Sequence, residues 1–294
     1  MRGLEWCVGR LICLSVAAGA LALAGCGGGG GGTPSNLPAV SPQTTGTFRT
    51  SAVKVLVGGV KLVSVGDGYV TLTNGVPVEV GFDLPAGAVT NIPQPAFDVP
   101  AIYGVPLPPE SVYTPFAFLA FSYWSAHLPK GTGDIPHIHP LFALFPPGQP
   151  DPPNNTLELM PVAPAEIPHD FVDGRTLPGG LAGETLAPGI GTAYEDPSQP
   201  QLQPGWDTIA QNYFFYKGHM NGIGLGATND FLAKQEQGKE PALSEVIKQP
   251  QVYPKPGYYP HKWSCSYDPS RQVHVFALQD FQQATNVLVQ RVRH

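Results

Sequence analysis

The chain has 294 residues, with 16 Lys and Arg against 22 Asp and Glu, a formal charge of −6 and only 13% charged residues. An acidic balance of this kind repels a phosphate backbone, which argues against nucleic acid as a partner. With 35 Gly and 34 Pro the chain cannot sustain long helices, yet 42% hydrophobic residues supply a sizeable core, so short strands joined by ordered loops are expected.

At the N-terminus Arg2 and Arg10 flank a short stretch ahead of an apolar run over residues 11–24. The run is too short to span a bilayer and has signal-peptide proportions. It closes on Leu23-Ala24-Gly25-Cys26, which is similar to a lipoprotein lipobox: small residues fit the peptidase, and the Cys26 thiol is the nucleophile that takes a diacylglycerol. Residues 1–25 are therefore expected to be a signal peptide, and Cys26 an acylated anchor whose partner is membrane lipid. Six glycines, Gly27 to Gly32, and a Pro/Ser/Thr-rich stretch make residues 26–47 a tether with a reach of roughly 25 Å. Glycine rather than aspartate after the cysteine points to the outer membrane of the bacterial envelope, if the host has one. Cys7 and Cys13 leave with the signal and Cys26 carries lipid, so Cys265 is the last thiol and no internal disulfide forms.

Residues 48–294 are expected to form one mostly β domain, an antiparallel sandwich or barrel-like fold with long Pro/Gly-rich loops and a few short helices. Four apolar runs open it, Val53 to Val57, Val60 to Val65, Tyr69 to Thr73 and Val76 to Val80, punctuated by Gly58-Gly59, Asp67-Gly68 and Asn74-Gly75. Asn-Gly and Asp-Gly supply the positive φ of two-residue hairpins, so this reads as a meander, with Pro77 at an edge or a strand start. Further strands are expected at Phe116 to Trp124, Leu141 to Phe145, Ile209 to Tyr216 and Gln272 to Leu278, all aromatic or β-branched. Helical pattern is confined to Asn229 to Gln237 and Ala242 to Lys248, and Pro146 to Pro164 and Gly179 to Pro204 read as long loops.

Polar chemistry gathers in four stretches, around His127, Asp134 to His139, Glu166 to Asp170, and Tyr216 to His219. Residues two apart on a strand face the same way, so His137 and His139 can present two imidazoles to one metal ion. Pro136 and Pro140 bracket the pair and favour extended backbone. The plainer reading places one histidine in the core and the other on a loop carbonyl. Gly131 stands six residues before His137, as in a first cupin motif, but the expected glutamate and the second motif are missing. The chain carries no G-x-S-x-G elbow, phosphate-binding P-loop or H-E-x-x-H. Cys265, within Trp263-Ser-Cys-Ser-Tyr267, reads as a buried small residue.

With these segments in order, the chain resembles the TTHB-like domain family of uncharacterised bacterial envelope proteins. Val65 to Gly81 with Ile92-Pro93 is similar to the family's opening hairpin, Trp124 to Pro129 to its W-x-x-G-H-x-P, and Pro136 to Phe142 to its P-H-F-D-F-H-F. Pro188 to Asp196 is similar to P-G-M-G-x-H-W-x-D, Tyr216 to Met220 with Phe231-Leu232 to the family's Y-x-G-x-M and F-L, and Pro254 to Pro260 to its C-terminal segment. The family pattern implies histidines where this chain has Leu141 and Ala193, an aspartate at His139 and a glutamate at Gly224, so a polar site of the family would here be lost or rebuilt.

Three functions follow. The first is a non-enzymatic, lipid-anchored binding or scaffolding domain, favoured because no catalytic set is complete. The second is a cupin-like enzyme in which His127, His137 and His139 hold one divalent transition metal, with Asp134 or Asp196 as fourth ligand or base and His219 as auxiliary. The third is a homo-oligomeric structural subunit joined through its proline-rich loops.

Overall fold

The computed structural model describes residues 44–50, 53–57, 61–88, 101–124, 135–145, 159–177, 186–187, 190–203 and 206–287. The described strands form two antiparallel sheets. The first has seven strands: β1 (Gly46–Arg49), β2 (Val53–Val57), β3 (Lys61–Thr73), β4 (Val76–Pro85), β13 (Leu243–Val246), β14 (Tyr258–Asp268) and β15 (Val273–Gln283). Their order is β1-β3-β4-β15-β14-β13, with β2 on the early half of β3. The second has eight: β5 (Ala101–Val105), β6 (Phe118–Trp124), β7 (His137–Ala143), β8 (Val172–Asp173), β9 (Leu186–Ala187), β10 (Gly191–Glu195), β11 (Ile209–Tyr216) and β12 (His219–Thr228). They run β5-β6-β7-β12-β11-β10-β8, with β9 beside β10. The sheets pack as a sandwich and not as a closed barrel.

Alternation builds the interior. Val70, Val80, Phe82, Phe276, Leu278, Trp263 and Cys265 from the first sheet join Phe121, Tyr123, Ile138, Phe142, Tyr213, Ile223 and Leu225 from the second in one core. The Phe82 and Phe121 rings meet across it at 5.5 Å. Cys265 is fully buried, as its aromatic setting suggested, and burial pushes its thiol well up. On the opposite face of the first sheet the Asp83 carboxylate, almost wholly buried, pairs with both Arg49 and Arg271. That fastens β1 and the β14–β15 turn to the sheet.

Two elements differ from the sequence pattern. Asp67-Gly68 makes no turn: β3 runs unbroken through it, Asp67 lying opposite Asp83, and a side chain at 68 would meet the Pro106 carbonyl at 2.9 Å. Glycine is there for close packing. The segment from Ala242 to Lys248 holds the edge strand β13 and not a helix, because Leu243 and Ser244 pair with Cys265 and Ser264. The Asn74-Gly75 hairpin is as expected, with φ of 52° and 75°.

The single α-helix among the described residues with full ranges, α1 (Asn229–Glu236), starts where Thr228 accepts the Phe231 amide and docks through Gln235 onto the Cys265 carbonyl. It defines one end of the sandwich, the helix end, together with Pro85 and Val273, since Glu236 accepts His274 Nε2 at 3.0 Å. The other, the turn end, carries Asn74-Gly75; there Phe116 joins Phe281 of the first sheet to Phe142 of the second, with centroids 6.3 and 6.0 Å apart.

Candidate functional site

Strand β7 lies mid-sheet between β6 and β12 and is buried on both faces. Ile138 and Phe142 point into the core, so His137 and His139 fall on the outer face of the second sheet, side by side as the H-x-H spacing requires. Their rings are 4.9 Å apart and nearly perpendicular, and Trp206 packs on His137 at 5.2 Å.

The backbone is unusual at this point. β12 pairs with β7 at Gly222↔Ala143, Ile223↔Phe142 and Gly224↔Leu141, then skips Leu225 and Gly226 and resumes at Ala227↔Ile138. The two unpaired rows set Leu225 opposite Pro140 and Gly226 opposite His139, and proline has no N–H to give the ladder. Pro140 is thus accommodated in a central strand with two rows left out of the β7–β12 ladder, the register being the same on either side.

Both imidazoles are neutral at ordinary pH. Burial drives His137 down to about 4 against a partly opposing hydrogen bond to the Ile135 carbonyl, and burial followed by repulsion from His137 drives His139 well below its usual range. The 2.6 Å contact between His137 Nδ1 and the Ile135 oxygen assigns the proton to Nδ1 and leaves the lone pair on Nε2, the tautomer in which a histidine ligates.

Beyond the glycines of β12 the outer face continues on β11 and β10. Asn212 donates to Glu195 Oε1 at 3.3 Å, and both side chains are buried. The Asn212 amide lies over Gly224, where a Cβ would stand only 2.1 Å from its Oδ1. Two buried polar atoms here, Asn212 Oδ1 and Trp206 Nε1, have no hydrogen-bond partner among the described residues. Trp206, Asn212 and Glu195 were not picked out in the sequence. The signal was there for Glu195: it alternates with Ala193 on β10, whereas its neighbour Asp196, chosen for its motif, turns away.

The other expected site residues scatter. His127 and Asp134 lie outside the described residues. Asp196 accepts from Lys248 at 2.6 Å and from Ser198; burial raises its carboxyl, but these bonds outweigh it and hold the group below its usual range. His219 stands at the other end of β12 from Thr228, which pairs with His137, and its Nδ1 meets the fully buried Glu166 at 2.8 Å. Glu166 also accepts the Met220 amide at 2.9 Å. Among the described residues no three His, Cys, Asp or Glu side chains are grouped to hold a metal. Leu141 and Ala193 lie in an apolar cluster with Ala120, Ile190 and Phe214 on the same outer face as the histidine pair. No family model, no curated protein and no solved structure matches the chain.

Proposed function

We propose that the chain is an exported lipoprotein, anchored through Cys26 in the cell envelope, whose β-sandwich is a non-enzymatic binding domain. Its ligand would be a small molecule held on the outer face of the second sheet, beside Gly226 and against His137 and His139. One observation carries this reading: Trp206 Nε1 and Asn212 Oδ1 are buried there with no partner among the described residues. Leaving such a group unpaired costs about 1–3 kcal/mol, and a ligand that bonds to both removes the cost. Against turnover, Glu195 on this face is paired with Asn212, and the acids that stand apart from it are paired too, Asp196 with Lys248 and Glu166 with His219.

A second reading has its own observation. The Ile135 contact holds His137 in the ligating tautomer, so the pair could take one divalent transition metal with His127, outside the described residues, as third ligand. The TTHB-like resemblance fits either reading, with the family's polar positions replaced by the apolar Leu141 and Ala193.

Native mass spectrometry and elemental analysis of the full chain extracted from membranes test both. The expected result is a stoichiometric adduct, organic on the first reading and metallic on the second, lost from a His137→Ala, His139→Ala variant. At a hundredfold excess over its dissociation constant such a ligand stabilises by about 2.7 kcal/mol. An adduct equally present in both proteins, or no adduct together with no thermal shift from zinc, nickel, copper or manganese, overturns the site. For the address, Cys26→Ser should accumulate as precursor without acyl label; normal processing and membrane partition of that variant would refute it.

A further inference from the structure

The carbonyl of Thr44, the first described residue, accepts the Gly75 amide at 2.7 Å, and the Thr45 hydroxyl accepts that of Asn74 at 2.9 Å. The chain therefore enters the sandwich at the turn end. Six large apolar side chains are exposed among the described residues: Val78, Val112, Phe145, Leu159, Met160 and Val246. Singly scattered residues of this kind need no explanation, but these are not scattered.

Five of the six lie at the turn end. Val78 is on β4 beside Pro77, which pairs with Leu72 just before the hairpin turn. Val112 is in the 3-10 turn Pro109–Tyr113, which leads through Pro115, packed on Gly257, into β6. Phe145 follows β7 directly, and Leu159 and Met160 adjoin Gly218 of the β11–β12 turn, with the Met160 Cβ 3.8 Å from where a side chain at 218 would begin. The sixth, Val246, lies on the edge strand β13, in the row of Lys262, Gln279 and Glu79. The exposed Lys217 borders them, its ammonium over Tyr216 at 5.4 Å, while Lys255, over the Phe145 ring at 4.9 Å, is half-buried and donates to the Leu144 carbonyl at 2.7 Å.

Exposed apolar side chains beside an exposed lysine suit the boundary between acyl chains and anionic headgroups. We propose that the turn end is a docking face for the bilayer that holds Cys26, a phospholipid surface with anionic headgroups. This rests on the anchoring reading above. Geometry favours it: Thr44 stands eighteen positions after Cys26 and is bonded at the turn end. A ten-residue strand such as β4 is already about 33 Å long. The domain is thus joined to the preceding chain at its turn end, a full strand length from the helix end.

The test uses the full lipidated chain reconstituted in phosphatidylethanolamine–phosphatidylglycerol vesicles containing acyl-chain quenchers. A fluorophore is attached to Met160→Cys, Val112→Cys or, as helix-end control, Lys239→Cys; buried Cys265 stays unlabelled in the folded state. Positions 160 and 112 should be quenched from about 5–10 Å within the headgroup–acyl boundary and position 239 not at all. Quenching at only one of the two, at neither, or equally at 239 overturns the docking face while leaving the anchor intact. Protein that carries no acyl label and leaves the vesicles overturns the anchor, and the docking with it.

Discussion

Acid should unfold this protein through His137, and the size of the effect can be worked from its surroundings. The folded side chain protonates near 4 and the free one near 6.5, so between those values the unfolded chain takes up a proton that the folded one refuses. Protonation therefore favours unfolding: the contribution is nil above about pH 7, grows as pH falls through 6.5, and levels off below 4. At about 1.4 kcal/mol for each pH unit of separation, the loss approaches about 3 kcal/mol, of which about 2.5 kcal/mol is realised by about pH 4.5. His139, displaced in the same direction, adds to it. Asparagine at 137 places an amide N–H near the position of Nδ1, keeps the bond to the Ile135 carbonyl and does not titrate. Urea unfolding of parent and His137→Asn, followed by far-ultraviolet circular dichroism at neutral pH and at about pH 4.5, isolates the term. The variant should lose about 2–3 kcal/mol less than the parent on acidification. If both lose the same within about 0.5 kcal/mol, His137 is not a buried neutral base and the account of the site fails.

Glu166 is fully buried and accepts both His219 Nδ1 and the Met220 amide, so Glu166→Ala should cost about 2–3 kcal/mol, chiefly by stranding that amide. At about 2–4 °C for each kcal/mol in a chain of this size the melting temperature falls by roughly 5–10 °C, while Glu166→Gln, which keeps an acceptor, should recover most of it; an alanine variant melting with the parent would count against the buried pair. Gly224→Ala should destabilise by about 1–3 kcal/mol through overpacking, because its methyl falls on Asn212 Oδ1 and the Phe214 ring. In an Asn212→Ala background the penalty should shrink, and strict additivity in the double-mutant cycle would show that the Asn212 amide does not lie over Gly224.

Period-two alternation with aromatic bias found β11 to the residue and β6 to within two, caught only the last three residues of β7 and stopped five short of the end of β15, and Asn74-Gly75 located a hairpin whose positive φ values only such residues take readily. The pattern missed β12, because its outer positions are glycines: Gly222, Gly224 and Gly226 carry no side chain to alternate, though they let β7 and β11 side chains meet over the strand. It misread β13 because a four-residue exposed edge strand has almost no buried face to mark its period, and tertiary pairing with β14 decided its state. β10 was hidden in a stretch taken for loop, where proline and glycine on either side outweighed five strand residues. The site was half legible for the same reason. Two histidines two apart declare a shared face, but Asn212 and Glu195 reach it from strands brought alongside only by long-range register, which no local spacing encodes.

The two ends of the sandwich separate two tasks. His137 pairs with Thr228, the residue that caps α1, and so lies at the helix end, whereas Thr44 is bonded at the turn end. Strand β12 runs the distance between them, ten residues or about 30 Å. On the anchored reading this places the histidine pair on the part of the domain farthest from the lipid. A ligand reaching it would come from the aqueous side and not by diffusion within the bilayer. The chemistry of the face agrees, since an indole N–H, an amide oxygen and two neutral imidazoles are partners for a polar molecule or a metal ion, not for an acyl chain. On that reading, anchoring would hold a receptor for soluble material at the surface, its turn end toward the membrane and its polar site turned away.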